Sequence, residues 1–425
     1  MTAERRGWRI VVNILAVIGV LAILLGLVGA GVVGYKLISD KETKDRTAAS
    51  ESPFYAKPDS VPATPGTVIR YEPLEYSVVG GKGWRIIYTS INSAGEPVAV
   101  SGRVFLPNTA APAGGRKILA FGHGTVGIAP QCAPSRSVSY IQTGWLEPAL
   151  QQGWAVVTTD YLGLGIEGYP PTFLLGGQEA RDIVNSVRAL RAFPGASAGT
   201  EWIVAGSSQG GNSALWTAAK AASIAPELQL KAVAPAVPAA ELAAIMTKQW
   251  QSVIGWAIGP YALATYKVAY PDRDYEAIIS PAGKDANDSL IAKCVLADGV
   301  EGLVLGEIAG PYFTKDPNED PAWSASVREQ TPPPPPAGMP MFLQQGEADI
   351  VVTAGSNALL QNQWCAKGVN IASLWLPGVN HQDTSVAAGA AMVEWAAARF
   401  AGTPAVSTCA FGVPAPVEPL PAPKP

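Results

Sequence analysis

The stretch from Glu201 to Ser213 reads Glu-Trp-Ile-Val-Ala-Gly-Ser-Ser-Gln-Gly-Gly-Asn-Ser. Within it, Gly206-Ser207-Ser208-Gln209-Gly210 has the spacing of a strained strand-to-helix turn that lifts one serine above a sheet edge as a nucleophile. Only Ser208 fits, because Ser207 would need glycines where Ala205 and Gln209 stand. A serine hydroxyl attacks a carbonyl only when a base takes its proton and a third group fixes that base. The chain has 2 histidines, which narrows the choice. His381, in Pro377-Gly-Val-Asn-His-Gln-Asp, is the expected base. His123, in Phe121-Gly-His-Gly-Thr, is expected to order its own turn. Asp349, in Gly346-Glu-Ala-Asp-Ile-Val-Val, is the expected orienting acid. It is preferred to Glu347 because a carboxylate just before an apolar run suits a loop tip. Asp383 is expected to be solvated, and Asp160 to brace its own turn. Serine, acid, histidine is the chain order of sheet-based hydrolases. The oxyanion needs two preorganised donors. The N–H groups of Gln209 and Thr125 are expected there, with Gly124 allowing close approach and His123 supporting the turn. The Gln209 side chain is read as packing.

Those residues need a sheet to hold them. Lys117-Ile-Leu-Ala-Phe, Trp154-Ala-Val-Val-Thr-Thr, Trp202-Ile-Val-Ala, Leu230-Lys-Ala-Val-Ala, Met341-Phe-Leu-Gln and Ile371-Ala-Ser-Leu-Trp-Leu are short apolar strand candidates. Helical patterns at Gln178–Phe193, Asn212–Ser223, Ser356–Lys367 and Ser385–Phe400 separate most of them. Alternation of this kind predicts an α/β fold with a mainly parallel sheet covered on both faces, and ligands bound at the strands' carboxyl ends. Ahead of it, Trp84–Ser90 and Val98–Leu106 flank the turn-rich Asn92–Pro97 and predict a hairpin. The stretch 238–337 breaks the alternation and predicts an inserted, largely helical cap. Its apolar run from Val253 to Tyr270 is expected as two helical pieces around Pro260. Trp250, Trp256, Tyr261, Tyr266 and Tyr270 are the candidates there for contact with substrate.

Hydrophobic residues make up 48% and charged residues 15%, the balance of a globule with a large core. A formal net charge of −4 offers no basic footprint for nucleic acid. At the N-terminus, Arg5, Arg6 and Arg9 precede an uncharged run from Ile10 to Tyr35. As a helix that run would reach ~39 Å. It is expected as a membrane anchor, or a signal segment if cleaved, with residues 1–9 cytoplasmic and the remainder exported. Residues 36–65 read as a linker, 66–237 and 338–403 as the sheet-bearing unit, and 404–425 as a proline-rich tail whose last dozen residues are loose. Cys132, Cys294, Cys365 and Cys409 fit an exported protein with two disulfides, in any of three pairings. Their spacing matches no familiar zinc pattern, and no metal or cofactor is expected.

With the serine turn, the His123-Gly-Thr turn, Cys132-Ala-Pro-Ser135 and the Asp349/His381 pair in place, the chain resembles the secretory lipase family. That family includes yeast lipases of the lipase A type and many actinobacterial members. The resemblance covers roughly 53–412. It implies an α/β-hydrolase fold with a lid-bearing cap, activity on carboxylic esters and often on acylglycerols, and Ser208, Asp349 and His381 as triad. It also implies the disulfides Cys132–Cys294 and Cys365–Cys409. The expected function is therefore a cell-surface or secreted serine ester hydrolase. An acyltransferase using the same acyl-enzyme, and a catalytically silent surface binding protein, are the alternatives.

Overall fold

The computed structural model describes residues 52–136 and 143–419. The expected anchor at 10–35 and the cytoplasmic residues 1–9 lie outside the described residues. Among the described residues, no helix is long and apolar enough to cross a membrane.

Strands β1 (Val68–Pro73), β2 (Gly81–Ile91) and β3 (Pro97–Pro107) form an antiparallel edge. The turn between β2 and β3 follows from Asn92, whose Oδ1 accepts the N–H groups of Ala94 (3.0 Å) and Glu96 (2.9 Å), with Gly95 at φ 86°. The chain then switches to parallel strands: β4 (Arg116–Gly122), β5 (Ala155–Thr159), β6 (Ala198–Ser207), β7 (Gln229–Ala236), β8 (Met341–Gly346) and β9 (Ile371–Leu376). The nine strands make one sheet in the order β1-β2-β3-β5-β4-β6-β7-β8-β9, so β4 and β6 lie near its middle.

The period-two geometry of a strand sends alternate side chains to opposite faces. Ile118, Ala120, Trp202 and Val204 join one core with helices α2 (Gly176–Ala192) and α3 (Gln209–Ile224). Leu119, Phe121, Ile203 and Ala205 join a second core, which also contains residues of α1 (Thr143–Gln151) and of the last helix. Both faces are apolar, which is why these strands read as continuous hydrophobic runs.

Between β7 and β8 stands the cap: α4 (Leu242–Gln249), α5 (Val253–Ala269), α6 (Pro281–Ile291), α7 (Val295–Ala309) and α8 (Pro321–Glu329). It has a core of its own around Trp256, Tyr266, Tyr312 and Trp323. The two pieces expected around Pro260 are instead one helix, α5. A proline removes one backbone bond. Trp256 on one side of it and Tyr261 and Tyr266 on the other are all buried in the same core, which holds both turns on one axis.

Both ends of the described chain are more tied down than composition suggests. In the stretch read as linker, Phe54 and Tyr55 are buried against Ile87, Ala99 and Ile166. After β8 come α9 (Ala354–Ala366), β9, α10 (Thr384–Ala387) and α11 (Gly389–Phe400). The proline-rich tail then returns along the sheet edge. Thr408 N–H donates to Ile371 O (2.7 Å), Ser373 N–H donates to Thr408 Oγ1 (2.9 Å), and Cys409 is bonded to Cys365. Val417 N–H, within the stretch expected to be loose, donates to Gly355 O at 3.1 Å. Prolines cannot continue a ladder, but residues between them can bond singly to an exposed edge.

Cys365 and Cys409 are 44 positions apart, a loop whose closure restricts the unfolded chain. Replacing both by serine is expected to lower unfolding stability by about 2–4 kcal/mol. Urea denaturation should show the lower midpoint, with the far-UV circular dichroism spectrum in the absence of urea unchanged.

Candidate active site

The serine turn is built by close backbone approach. A Cβ at Gly206 would collide with Gly210 O, and one at Gly210 would collide with Gly122 O. With no side chains there, the start of α3 can sit directly against the end of β4. The chain cannot make that reversal in relaxed conformations, and Ser208 takes φ 58°, ψ −116°. A non-glycine residue there is strained. It is held by Ser208 N–H donating to Ala236 O (2.9 Å) and by Ser208 O accepting from Asn212 N–H (3.0 Å) and Ala239 N–H (3.2 Å).

His381, 8% exposed, reaches this serine from the loop between β9 and α10, its Nε2 3.0 Å from Ser208 Oγ. Its Nδ1 lies 2.7 Å from Asp349 Oδ2. The other Asp349 oxygen accepts Val351 N–H (2.8 Å) and Val352 N–H (2.9 Å), which fixes the carboxylate at its loop tip. Gln345 adds a longer donor (3.4 Å) and is itself held by Asn357 Nδ2 at 2.6 Å. An Nδ1–H donated to a carboxylate leaves Nε2 to accept the serine proton. Glu347 and Asp383 are exposed and outside this run.

Thr125 and Gln209 line the same cavity as Ser208. The Gln209 N–H opens α3, where the helix dipole favours negative charge. His123 is buried, its Nδ1 2.6 Å from Gly124 O and its Nε2 3.2 Å from Asp160 O. Burial holds its pKa below the ordinary histidine value. Asp160 does more than brace its own turn: it accepts from Ser101 Oγ (2.6 Å) and from both the N–H and the hydroxyl of Ser135. The loop carrying Thr125 is thereby fixed to β3. It is also fixed to the cap by the Cys132–Cys294 disulfide and by Val295 N–H donating to Val126 O (2.9 Å).

Above Ser208 opens a cavity of about 770 Å³, its open mouth included. Apart from Thr125, Ser208, Gln209 and Gln249, its walls are apolar or aromatic, contributed mainly by α4, α5 and the loop after Asp349. Of the five aromatic candidates, Trp250 and Tyr266 line it. The other three serve the cap. Trp256 donates from Nε1 to Gly310 O (3.0 Å), Tyr261 donates to Lys293 O (3.2 Å), and Tyr270 takes a bond from Gln330 and carries the Arg273 guanidinium over its ring. Among the described residues, no cluster of His, Cys, Asp and Glu could hold a metal ion.

The sequence profile of "Secretory lipase" proteins matches residues 135–408. Lipase 6 of Candida albicans is 25% identical over 407 residues, covering 85% of this chain and 84% of that protein. A Mycobacterium tuberculosis protein named "Probable inactive lipase" is 23% identical, covering 90% of this chain and 89% of its own length. In three dimensions, Candida antarctica lipase A in its closed state superposes with a TM-score of 0.66 at 22% identity, over 87% of this chain and 90% of that one. Fold and relatives together define a carboxylic ester hydrolase of the α/β-hydrolase class. The chain belongs to the secretory lipase family, and its two cross-links join the cysteines which that resemblance implies.

Pattern reading missed the carboxyls behind the turn. The helical pattern over Gln178–Phe193 assigned no role to Gln178, Glu179, Asp182, Asn185 and Ser186 on α2, yet all are buried. The one sequence signal was their recurrence every three to four residues on a helix that must cover a sheet. Asp182 accepts from Ser90 Oγ (2.5 Å), Gln178 Nε2 (3.0 Å) and Leu162 N–H (3.0 Å). Burial pushes its carboxyl up to about 6 and that of Glu179 up to about 7. The folded state thus holds protons that the unfolded chain has released. The associated stability is fully present below the ordinary carboxylate range and is lost as pH rises through about 6 and about 7. Asp182→Asn should be less stable overall, because an amide nitrogen cannot accept Leu162 N–H. It should nonetheless lose about a third of the wild-type fall in urea midpoint between pH 5 and pH 8, Glu179 carrying the larger part.

Proposed function

We propose that the chain cleaves carboxylic esters of apolar acyl groups, acyl lipids among them, through an acyl-enzyme on Ser208. The observation that carries this reading is the unbroken Ser208–His381–Asp349 hydrogen-bond run at the floor of an apolar cavity. Ser208 Oγ attacks the ester carbonyl carbon as its proton passes to His381 Nε2. Asp349 orients the imidazole and stabilises the resulting cation. The substrate oxygen, now negative, meets the N–H groups of Gln209 and Thr125. Collapse expels the alkoxide, which takes the proton from His381 and leaves as alcohol. Water then attacks the acyl-enzyme, His381 takes its proton, and the free acid departs as Ser208 is reprotonated.

The cavity's apolar lining favours an acyl chain over a polar substituent, since burying a polar group without partners is costly. The apolar run at 10–35 behind Arg5, Arg6 and Arg9 directs export of the ester-cleaving part, as a membrane anchor or, where it is cleaved, as the signal segment of a secreted enzyme. The two disulfides suit that exported placement. A second reading, a silent binding protein, is raised by the name of the mycobacterial relative. Labelling by a fluorophosphonate probe separates the two: wild type should label at Ser208, and an unlabelled wild type would favour the binding protein.

With nitrophenyl butyrate, Ser208→Ala and His381→Ala should each lower kcat by about 10⁴-fold or more, with Asp349→Asn somewhat less damaging. Stopped assays on purified variants of equal thermal midpoint check this. Ala262 lines the cavity on α5. Ala262→Phe should reduce kcat/KM for a long-chain ester by roughly 10-fold relative to butyrate. Equal losses on both esters would count against the cavity as the acyl site.

A further inference from the structure

Glu179 takes no part in the Ser208–His381–Asp349 run, yet it lies directly behind the serine turn. It is fully buried. Its Oε1 accepts Gln209 Nε2 at 2.6 Å and Leu174 N–H at 2.9 Å, and its Oε2 is 2.5 Å from Ser213 Oγ. Ser213 Oγ is also 2.9 Å from Gln209 O. One carboxyl group therefore grips the first turn of α3 at two places and the chain at Leu174 at a third. Leu174 takes the strained φ of 53° and, with Gln209, lines the cavity.

Packing alone does not call for a carboxyl here, because desolvation opposes a buried acid. The contacts suit either protonation state. An ionised Glu179 accepts the Ser213 hydroxyl. A protonated one donates to Ser213 Oγ, which turns its own hydrogen to Gln209 O. In both, Oε1 keeps Gln209 and Leu174.

We propose that Glu179 is a positioning residue for ester cleavage, holding the Gln209 N–H on the oxyanion and the Leu174 wall against the acyl group. The proposal rests on Ser208 as the nucleophile. Through Glu179, helix α2 sets the distance between the donor of α3 and the wall that orients the substrate. A mismatch would cost transition-state stabilisation more than ground-state binding of a short ester.

The experiment is a double-mutant cycle on the purified full chain with nitrophenyl butyrate, using E179A, Q209A and the pair, with E179Q as the conservative variant. E179A should lower kcat by about 10- to 100-fold with KM changed by less than about 3-fold, the size expected for disturbing one oxyanion donor. Q209A, which keeps its backbone N–H, should lower kcat in the same direction. The pair should be no worse than E179A alone, since both remove one interaction. E179Q keeps the Oε1 bonds and can donate to Ser213, so it should recover most of kcat. Losses that multiply, an E179A kcat within about 3-fold of wild type, or an E179Q as impaired as E179A would overturn the proposal. Should E179A fail to fold, Q209A against E179Q decides: unchanged kcat in Q209A overturns it. Fluorophosphonate labelling of wild type keeps the two levels apart. Labelled Ser208 with multiplying losses removes only Glu179, whereas an unlabelled wild type removes the serine hydrolase reading and this inference with it.

Discussion

The structure depends on one steric constraint, the contact of the start of α3 with the end of β4. Gly210 lies so close to Gly122 O that no side chain fits, and Gly206 is bound to the same restriction by Gly210 O. That contact leaves Ser208 in a strained conformation with its hydroxyl at the sheet's carboxyl edge. It also brings the chain leaving β4, with His123, Gly124 and Thr125, alongside the first N–H groups of α3. Ser208, Gln209 and Thr125 thus come to line one cavity through backbone packing.

Around that contact, the chain spends buried polar groups on orientation. Asp349 is fixed by two backbone N–H groups and holds His381. Asp160 ties the Thr125 loop to β3 through Ser101 and Ser135, and Glu179 ties α2 to α3. Each carboxyl has several donors, as a buried acid must if its burial is to be tolerated. The Cys132–Cys294 cross-link extends the same order to the cap, which roofs Ser208 with apolar walls. Low polarity above and fixed dipoles below are what a developing oxyanion requires.

Much of this was legible from local rules. Period-two strands alternating with helical patterns, and glycines flanking Ser208, located the sheet and the turn. With two histidines in the chain, the imidazole partner of Ser208 had few places to be. Asp349 over Glu347 was also readable, because an acid at the last position before an apolar run ends up beneath it. What was not legible has a common cause. Pro260 marked a break by propensity, yet packing of Trp256, Tyr261 and Tyr266 carries α5 through it. The prolines after Thr403 suggested a loose tail, yet single bonds and Cys409 hold it to the sheet edge. Five cap aromatics looked alike, and only Trp250 and Tyr266 face the cavity.

The sequence by itself determined the class of fold, the identity and order of Ser208, Asp349 and His381, and the presence of a cap, since each follows from residue type, spacing or glycine placement along a short stretch. Tertiary structure alone decided which side of a helix faces inward. The polar residues of α2 have the same periodicity whether that stripe meets water or the sheet. Only the docking of α2 against β2 and α3 buries Glu179 and Asp182 and sets them behind the turn. Periodicity states that a helix has two faces; which face loses its water depends on residues far away in the chain.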